Sequence, residues 1–485
     1  MLLTGLGLGV ILGFVMQRGR FCVTGMIRDI FTQKSWRGFN ALLIVIAVHA
    51  VGLAALGTAG VIDAQADTFA PLAVVVGGLV FGMGIILAGG CASGTWYRSG
   101  EGLVGSWIAL VMYAVSAAAM KAGVLSSFND AMGAWSLEST SVQDSLGISV
   151  WWLAIPFAAF VAFLTARFLQ QENARPKMAQ LKPKKTGLAH LLAEKPWHFY
   201  STAVIIGVLG VVAWPLSAAT GRNSGLGITT PTSDTLRFLL TGDSSRLNWG
   251  TLLVLGLLVG SFIAAKASGE FRVRVPDATQ TKRSVSGGLM MGVGASLAGG
   301  CTVGNGMVQT SLFGYQGWVA LAFIAAGIWV GAKLWLKPAE FAEAGSEPGL
   351  APAPSSPRGG SKLTVDFAQA PQGVLGGGTG VLTAQRPVVA AESSSDAKSV
   401  PGLRSLGEGR YALDTLGAVC PFPLIEAKDA MTRLDSGEEL VIDFDCTQAT
   451  DAIPRWASVD GHEVTNFEAT GDAGWTITVK KDGAV

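Results

Sequence analysis

Charge is scarce in this chain of 485 residues: only 14% of positions are Asp, Glu, Lys or Arg, while 50% are hydrophobic. Soluble domains carry about a quarter charged residues, so the scarcity excludes a wholly soluble protein. The net charge of +1 leaves no electrostatic footprint for nucleic acid. Histidine is thin as well, with His49, His190, His198 and His462 scattered along the chain. The five cysteines, Cys22, Cys91, Cys301, Cys420 and Cys446, form no Cys-x-x-Cys pair. Neither set has zinc-ligand spacing, and neither a metal nor a cofactor is expected. A Gly-x-x-x-x-Gly-Lys loop is also missing, which argues against nucleotide hydrolysis as a driving force.

What the chain has is apolar sequence, with a mean hydropathy of +0.45. Apolar runs fall at roughly 2–16, 38–60, 70–88, 103–121, 150–168, 201–219, 249–267, 284–300 and 316–336. A bilayer core about 30 Å thick takes about 20 helical residues, so most of these can span. The first run lacks a basic segment and a small-residue cleavage site, and reads as a membrane helix rather than a signal peptide. Lys and Arg accumulate on the cytoplasmic side. With the N-terminus outside, the inward loops hold Arg18, Arg20, Arg28, Lys34 and Arg37, then Arg98, then Arg175 to Lys195, then Arg272, Arg274, Lys282 and Arg283. The outward loops hold little beyond Lys121, Arg222, Arg237 and Arg246. Nine spans then put the C-terminus in the cytoplasm, and a multi-pass protein of the inner membrane is expected.

Two stretches are near copies: Gly-Gly-Leu-Val-Phe-Gly-Met-Gly-Ile-Ile-Leu-Ala-Gly-Gly-Cys, ending at Cys91, and Gly-Gly-Leu-Met-Met-Gly-Val-Gly-Ala-Ser-Leu-Ala-Gly-Gly-Cys, ending at Cys301. They lie five crossings apart and therefore enter the membrane from opposite sides. Such inverted repeats with interrupted helices bring the broken ends of both halves together near the midplane. Gly89-Gly90 and Gly299-Gly300 mark the breaks, and non-helical backbone at that depth is tolerated only when buried in protein or facing a cavity. The expected architecture is an all-α polytopic membrane domain over 1–337, with halves of about 1–168 and 201–337. It has about nine transmembrane helices and short re-entrant half-helices.

The thiols at these breaks are expected to stay neutral in apolar surroundings and to act as weak S–H donors. That suits an anion with a large polarisable sulfur, which the helix ends would also favour. Gly90, Cys91 and Ala92 in one half, and Gly300, Cys301 and Thr302 in the other, are the candidate binding residues. The segments Ala92 to Tyr97 and Thr302 to Met307 hold no charged side chain, so dipoles and thiols alone are expected to hold the solute. Cys22 adds a third thiol, whose counterpart region near Gly225-Leu226-Gly227-Ile228 has none. Cu(I) is the chemical competitor, but no Met-x-x-Met or Cys-x-x-Cys cluster supports it.

From 338 to 405 the sequence turns to Ala, Pro, Gly and Ser, the composition of a flexible tether. The remainder, 406–485, reads as a small α/β two-layer sandwich, with apolar alternation at 439–445 and 473–480 and helical runs near 422–433 and 448–458. Cys420, followed by Pro421-Phe422-Pro423, lies between a strand and a helix. Proline fits the first turn, and the positive helix end favours thiolate, the setting of a sulfur nucleophile or persulfide carrier. Cys446 is expected to be core or strand terminus. A cytoplasmic domain argues against a standing disulfide between the two.

These residues carry a resemblance. The first 337 or so residues resemble the YeeE/YedE family of thiosulfate transporters, through Arg20-Phe21-Cys22 and the paired Ala-Gly-Gly-Cys elements. The tail is similar to TusA-like sulfur carriers, through Leu413-Asp414, Leu416-Gly417, Cys420-Pro421-Phe422-Pro423, Asp451, Ile453-Pro454 and Gly461-His462. The resemblance implies inward passage of thiosulfate along Cys22, Cys91 and Cys301. It also implies persulfide formation on Cys420 and cytoplasmic proteins that accept the sulfur. Two other functions fit the same residues: a membrane-anchored sulfurtransferase, and a transporter of sulfite, sulfide or a selenium oxyanion.

Overall fold

The computed structural model describes residues 1–137, 140–174, 178–181, 186–336, 403–418, 420–471 and 473–482. The expected tether lies outside them up to residue 402, as do Arg175, Lys177, Lys182, Lys184 and Lys185 of the inward loop.

The membrane domain opens with α1 (Leu2–Arg18) and α2 (Val23–Gln33), joined by a turn in which Arg20 adopts φ 50°. The apolar α3 (Arg37–Thr58) and α4 (Pro71–Leu87) follow. A break then leads into the short α5 (Ala92–Gly100), and α6 (Val104–Ala122) returns across the bundle. Short helices α7 (Ser126–Gly133) and α8 (Val142–Leu146) lead to α9 (Trp151–Asn173). After α10 (Gly187–Ala193) the second half runs through α11 (Phe199–Ala218), α12 (Thr229–Thr241), α13 (Trp249–Ser268) and α14 (Ala278–Leu297). A π-helical segment, Gly304–Gln309, and α15 (Tyr315–Trp335) complete it. Eight stretches of the described residues are long and apolar enough to cross a membrane. The remaining long helix, α14, matches them in length, but Gln280, Lys282 and Arg283 dilute its first turns.

The packing is reciprocal. Helix α1 lies along α13 as α11 lies along α3, and α4 lies along α15 as α14 lies along α6. At the centre α4 and α14 cross antiparallel, each offering glycines to the other. A Cβ on Gly77 would stand 2.4 Å from the Ala298 amide nitrogen, and one on Gly287 would stand 2.4 Å from that of Ala88. Only small residues allow membrane helices to approach so closely. The two near-copied stretches are therefore each other's partner, in opposed directions.

Two expectations change around α1 and α2. The basic stretch after the first span is not an open loop, because α2 forms there and packs on α3 and α15. Its polar residues, Arg28 and Asp29, pair with each other at 2.8 Å, which is why the segment lacks an apolar signature. Arg18 is likewise buried, at 1% exposure, within α1.

The tail folds around a separate core. Strands β1 (Arg404–Gly407), β2 (Arg410–Thr415), β3 (Glu439–Phe444), β4 (Glu463–Gly471) and β5 (Gly474–Lys480) form one sheet in the order β1-β2-β3-β5-β4. Only β2 and β3 pair in parallel, joined by the crossover helix α16 (Phe422–Arg433). Helix α17 (Ala449–Val459) packs beside it. Leu440, Ile442 and Phe444 of β3 point inward at period two, against Leu424, Ala427 and Met431 of α16 and Ile453 and Trp456 of α17. This is the expected two-layer sandwich.

Candidate functional site: buried thiols and a docked tail

Each broken helix ends on a left-handed glycine, Gly89 at φ 72° and Gly299 at φ 73°, a conformation that costs other residues steric strain. The exposed carbonyls need donors, and the halves supply different ones. Arg98 donates to the Gly89 carbonyl. In the other half Asn305 Nδ2 donates to the carbonyls of Ala298 at 2.8 Å and Gly300 at 3.0 Å. Gln316 Nε2 holds the Asn305 side-chain oxygen at 3.1 Å. Arg98 corrects the expectation that no charged side chain serves the breaks. It lies one residue beyond the neutral segment, is 4% exposed, and sits 3.4 Å from where a Gly90 Cβ would stand.

Cys91 is the N-cap of α5, and Cys22 is the N-cap of α2. Their sulfurs converge: a Cβ on Gly94 would lie 3.4 Å from Cys91 Sγ and 3.5 Å from Cys22 Sγ. Cys91 Sγ also contacts Ser93 Oγ at 3.4 Å. The N-cap of α12, equivalent to Cys22, is Ile228. Cys301 is buried at the opposite break. The hydroxyl of Tyr113 on α6 donates to Thr229 Oγ1 at 2.8 Å. Among the other expected site residues, Gly90, Gly300, Ala92 and Thr302 are all buried at the breaks. The Thr302 and Thr24 hydroxyls are buried without a protein partner among the described residues. They are donors with nothing of the chain's own to bond.

The tail lies against the α2 and α5 side of this site. Arg20 donates to Thr450 Oγ1, and Gln448 Nε2 donates to the Tyr97 hydroxyl at 3.2 Å. Arg274 faces Asp445 at 3.6 Å, Arg455 faces Glu172 at 3.6 Å, and Arg37 faces Asp451 at 3.8 Å. Partial burial would raise the Asp451 carboxyl, but Arg455 and Arg37 outweigh it and hold the group below its ordinary range. Glu270 takes Arg18 at 3.3 Å and Arg20 at 3.0 Å. Gln17 bridges Glu270 and Glu101, and burial together with Glu270 pushes Glu101 up to about 7. Between tail and membrane domain lies a cavity of about 140 Å³, lined by Cys22 and Cys420 along with Arg20, Arg28, Arg37 and Arg455.

Cys420 stands just before α16, which starts at Phe422 as the 422–433 run implies, with Pro421 as N-cap and Pro423 in its first turn. The expectation that Cys420 and Cys446 stay unpaired is corrected: they form a disulfide, with Cα atoms 6.2 Å apart. Cys446 follows β3, which lies parallel to the strand preceding Cys420. That pairing brings the ends of both strands to the same edge of the tail.

The family model described as Sulphur transport matches residues 18–330, and the one described as Sulfurtransferase TusA matches residues 411–481. The thiosulfate transporter TsuA of Escherichia coli strain K12 is 52% identical over 338 residues, covering 69% of this chain and 94% of that protein. The thiosulfate transporter TsuA of Spirochaeta thermophila is 30% identical over 343 residues, covering 68% and 97%. A short separate protein of Escherichia coli K12 is 61% identical to the tail over 69 residues, covering 92% of its own length.

Proposed function

Because the chain belongs to the sulphur transport family and carries a TusA domain behind it, we propose that it takes up thiosulfate along Cys91, Cys301 and Cys22 and delivers sulfur to Cys420. The multi-pass domain sits in the inner membrane with its N-terminus outside and the tail in the cytoplasm, in keeping with the loop charges.

The observation that carries this reading is the position of Cys22. Its thiol meets Cys91 at the break of one repeat and also lines the cavity that contains Cys420. A succession of thiols thus leads from the buried break to the tail. Thiosulfate presents a soft terminal sulfur, to which neutral S–H groups donate weakly, and oxygens that Thr24, Thr302 and the amides at the N-terminus of α5 can serve. Weak holding favours conduction, since each site must release the ion as well as bind it. The arginines around the inner cavity then favour the arriving dianion. Once a dithiol reductant has opened the Cys420–Cys446 disulfide, the Cys420 thiolate attacks the terminal sulfur, the S–S bond of thiosulfate breaks with its electron pair leaving on sulfite, and a persulfide remains on Cys420.

The test is uptake of labelled thiosulfate by cells expressing Cys22→Ala, Cys91→Ala or Cys301→Ala. Loss of the S–H donor at a narrow point should cost about 1–3 kcal/mol, or about fivefold or more in rate. Normal uptake by all three variants would overturn the thiol pathway.

A further inference from the structure

We propose that Cys446 is the resolving thiol of the tail: it attacks Cys420 and expels the bound sulfur as sulfide. The inference rests on the reading that Cys420 carries a persulfide, and it goes beyond that reading in assigning the fate of the sulfur. A persulfide has two sulfurs open to attack, with different products. Attack on the outer atom moves the sulfane sulfur to the attacker. Attack on the inner atom, Cys420 Sγ, releases the outer one. The geometry selects the inner atom, because Cys446 is joined directly to Cys420 Sγ. The outer sulfur would project about 2 Å further from that atom.

Three observations support the pairing as a working arrangement. The Cα separation of 6.2 Å lies inside the range a disulfide spans without backbone movement. The loop that carries Cys446 is held on both sides: Asp445 accepts from the Gly417 amide at 3.0 Å and faces Arg274 of the membrane domain at 3.6 Å. Both cysteines also line one cavity, together with Arg98 and Arg274, whose positive charges draw an anionic product away from the bond that has formed.

The chemistry balances. Cys446 thiolate and the Cys420 persulfide give the Cys420–Cys446 disulfide and hydrosulfide; the sulfane sulfur takes the electron pair, and the two thiols are oxidised. A dithiol reductant then reopens the disulfide. Over one cycle, thiosulfate and a dithiol become sulfite, sulfide and a disulfide. The tail then belongs beside a reaction that consumes sulfide, and not only beside proteins that accept persulfide.

The test is a single turnover of the full-length chain in detergent, reduced, freed of reductant, and mixed with thiosulfate without oxygen. Sulfite, sulfide and the intact mass are read together. The wild-type chain should release sulfite and sulfide in equal amounts and end with the Cys420–Cys446 disulfide. C446S and C446A should release sulfite, which also reports that their tails are folded, but release at least about tenfold less sulfide and keep one extra sulfur on Cys420. Equal sulfide from wild type and both variants overturns the proposal, as does a wild-type chain that stops at the persulfide. A lack of sulfite from every chain overturns the delivery reading, and this inference with it.

Discussion

Arg98 holds the broken end of α4 by donating to the Gly89 carbonyl. The C-terminal end of a helix is its negative pole, so the guanidinium both satisfies the carbonyl and offsets a charge that would repel an approaching anion. Arg98→Gln keeps a donor and loses the charge. A charge-assisted hydrogen bond is worth about 1.5–3 kcal/mol, and uptake by this variant should fall about tenfold or more, with Arg98→Lys intermediate. Uptake unchanged in Arg98→Gln would remove the residue from the account. The sequence made the thiols legible because Cys91 and Cys301 close copied segments. Arg98 was not legible, since a lone arginine between two apolar runs reads as a loop charge, and nothing in the run shows that it folds back onto the break. The Cys420–Cys446 pairing reads from sequence as disfavoured because the tail is expected to be cytoplasmic; the two are 26 residues apart, and the parallel pairing of β2 with β3 brings them to one edge.

Among the elements, the tail docks largely by charge. The Arg274–Asp445 pair is the most buried of the ion pairs described between tail and membrane domain, with side chains 10% and 6% exposed, and removing one partner of such a pair costs about 3–5 kcal/mol. Arg274→Glu should therefore release the tail, and adding Asp445→Arg should recover part of the docking, read by energy transfer between labels on tail and membrane domain. Recovery should be incomplete, because Asp445 also holds Gly417. Docking should also depend on acid in a definite direction. Arg455 shares a helix with Asp451 and lowers it in either form, so the part that docking adds is the lowering by Arg37; that contribution is present at neutral pH, where Asp451 is ionised, and lost as pH falls through the lowered value. Docking that strengthens on acidification would contradict this. Strands β3 and β5, both helices of the tail and the breaks at Gly89 and Gly299 were readable from periodicity and glycine pairs, whereas β1 and β4 were not, β1 starting inside the stretch that reads as tether. Helices α2 and α12 were not, because Arg28 and Asp29 in one and Asp234 and Arg237 in the other break the apolar pattern. The π-helical segment Gly304–Gln309 carries no periodic signal at all.

For the molecule as a whole, the difficulty is the dianion. Entry against an interior-negative potential costs about 2.3 kcal/mol per charge per 100 mV, and thiols at helix breaks supply no energy to meet it. In the proposed function, cleavage at Cys420 would meet that cost by keeping thiosulfate scarce where it leaves the pathway, and the fused tail would keep the acceptor at an effective concentration in roughly the millimolar range. Cys420→Ser should accordingly leave the initial rate of entry nearly intact and reduce total accumulation of label severalfold. The most direct measurement follows the sulfur itself. Intact cells are given thiosulfate labelled only in its terminal sulfur, and the peptide containing Cys420 is isolated without reductant within the first seconds. In a chain carrying Cys446→Ser, which keeps the sulfur on Cys420, the label should appear on Cys420 and be lost when Cys91→Ala is added. Label that enters the cell but never reaches Cys420, or that reaches it equally well in Cys91→Ala, would contradict a thiol path from the membrane to the tail.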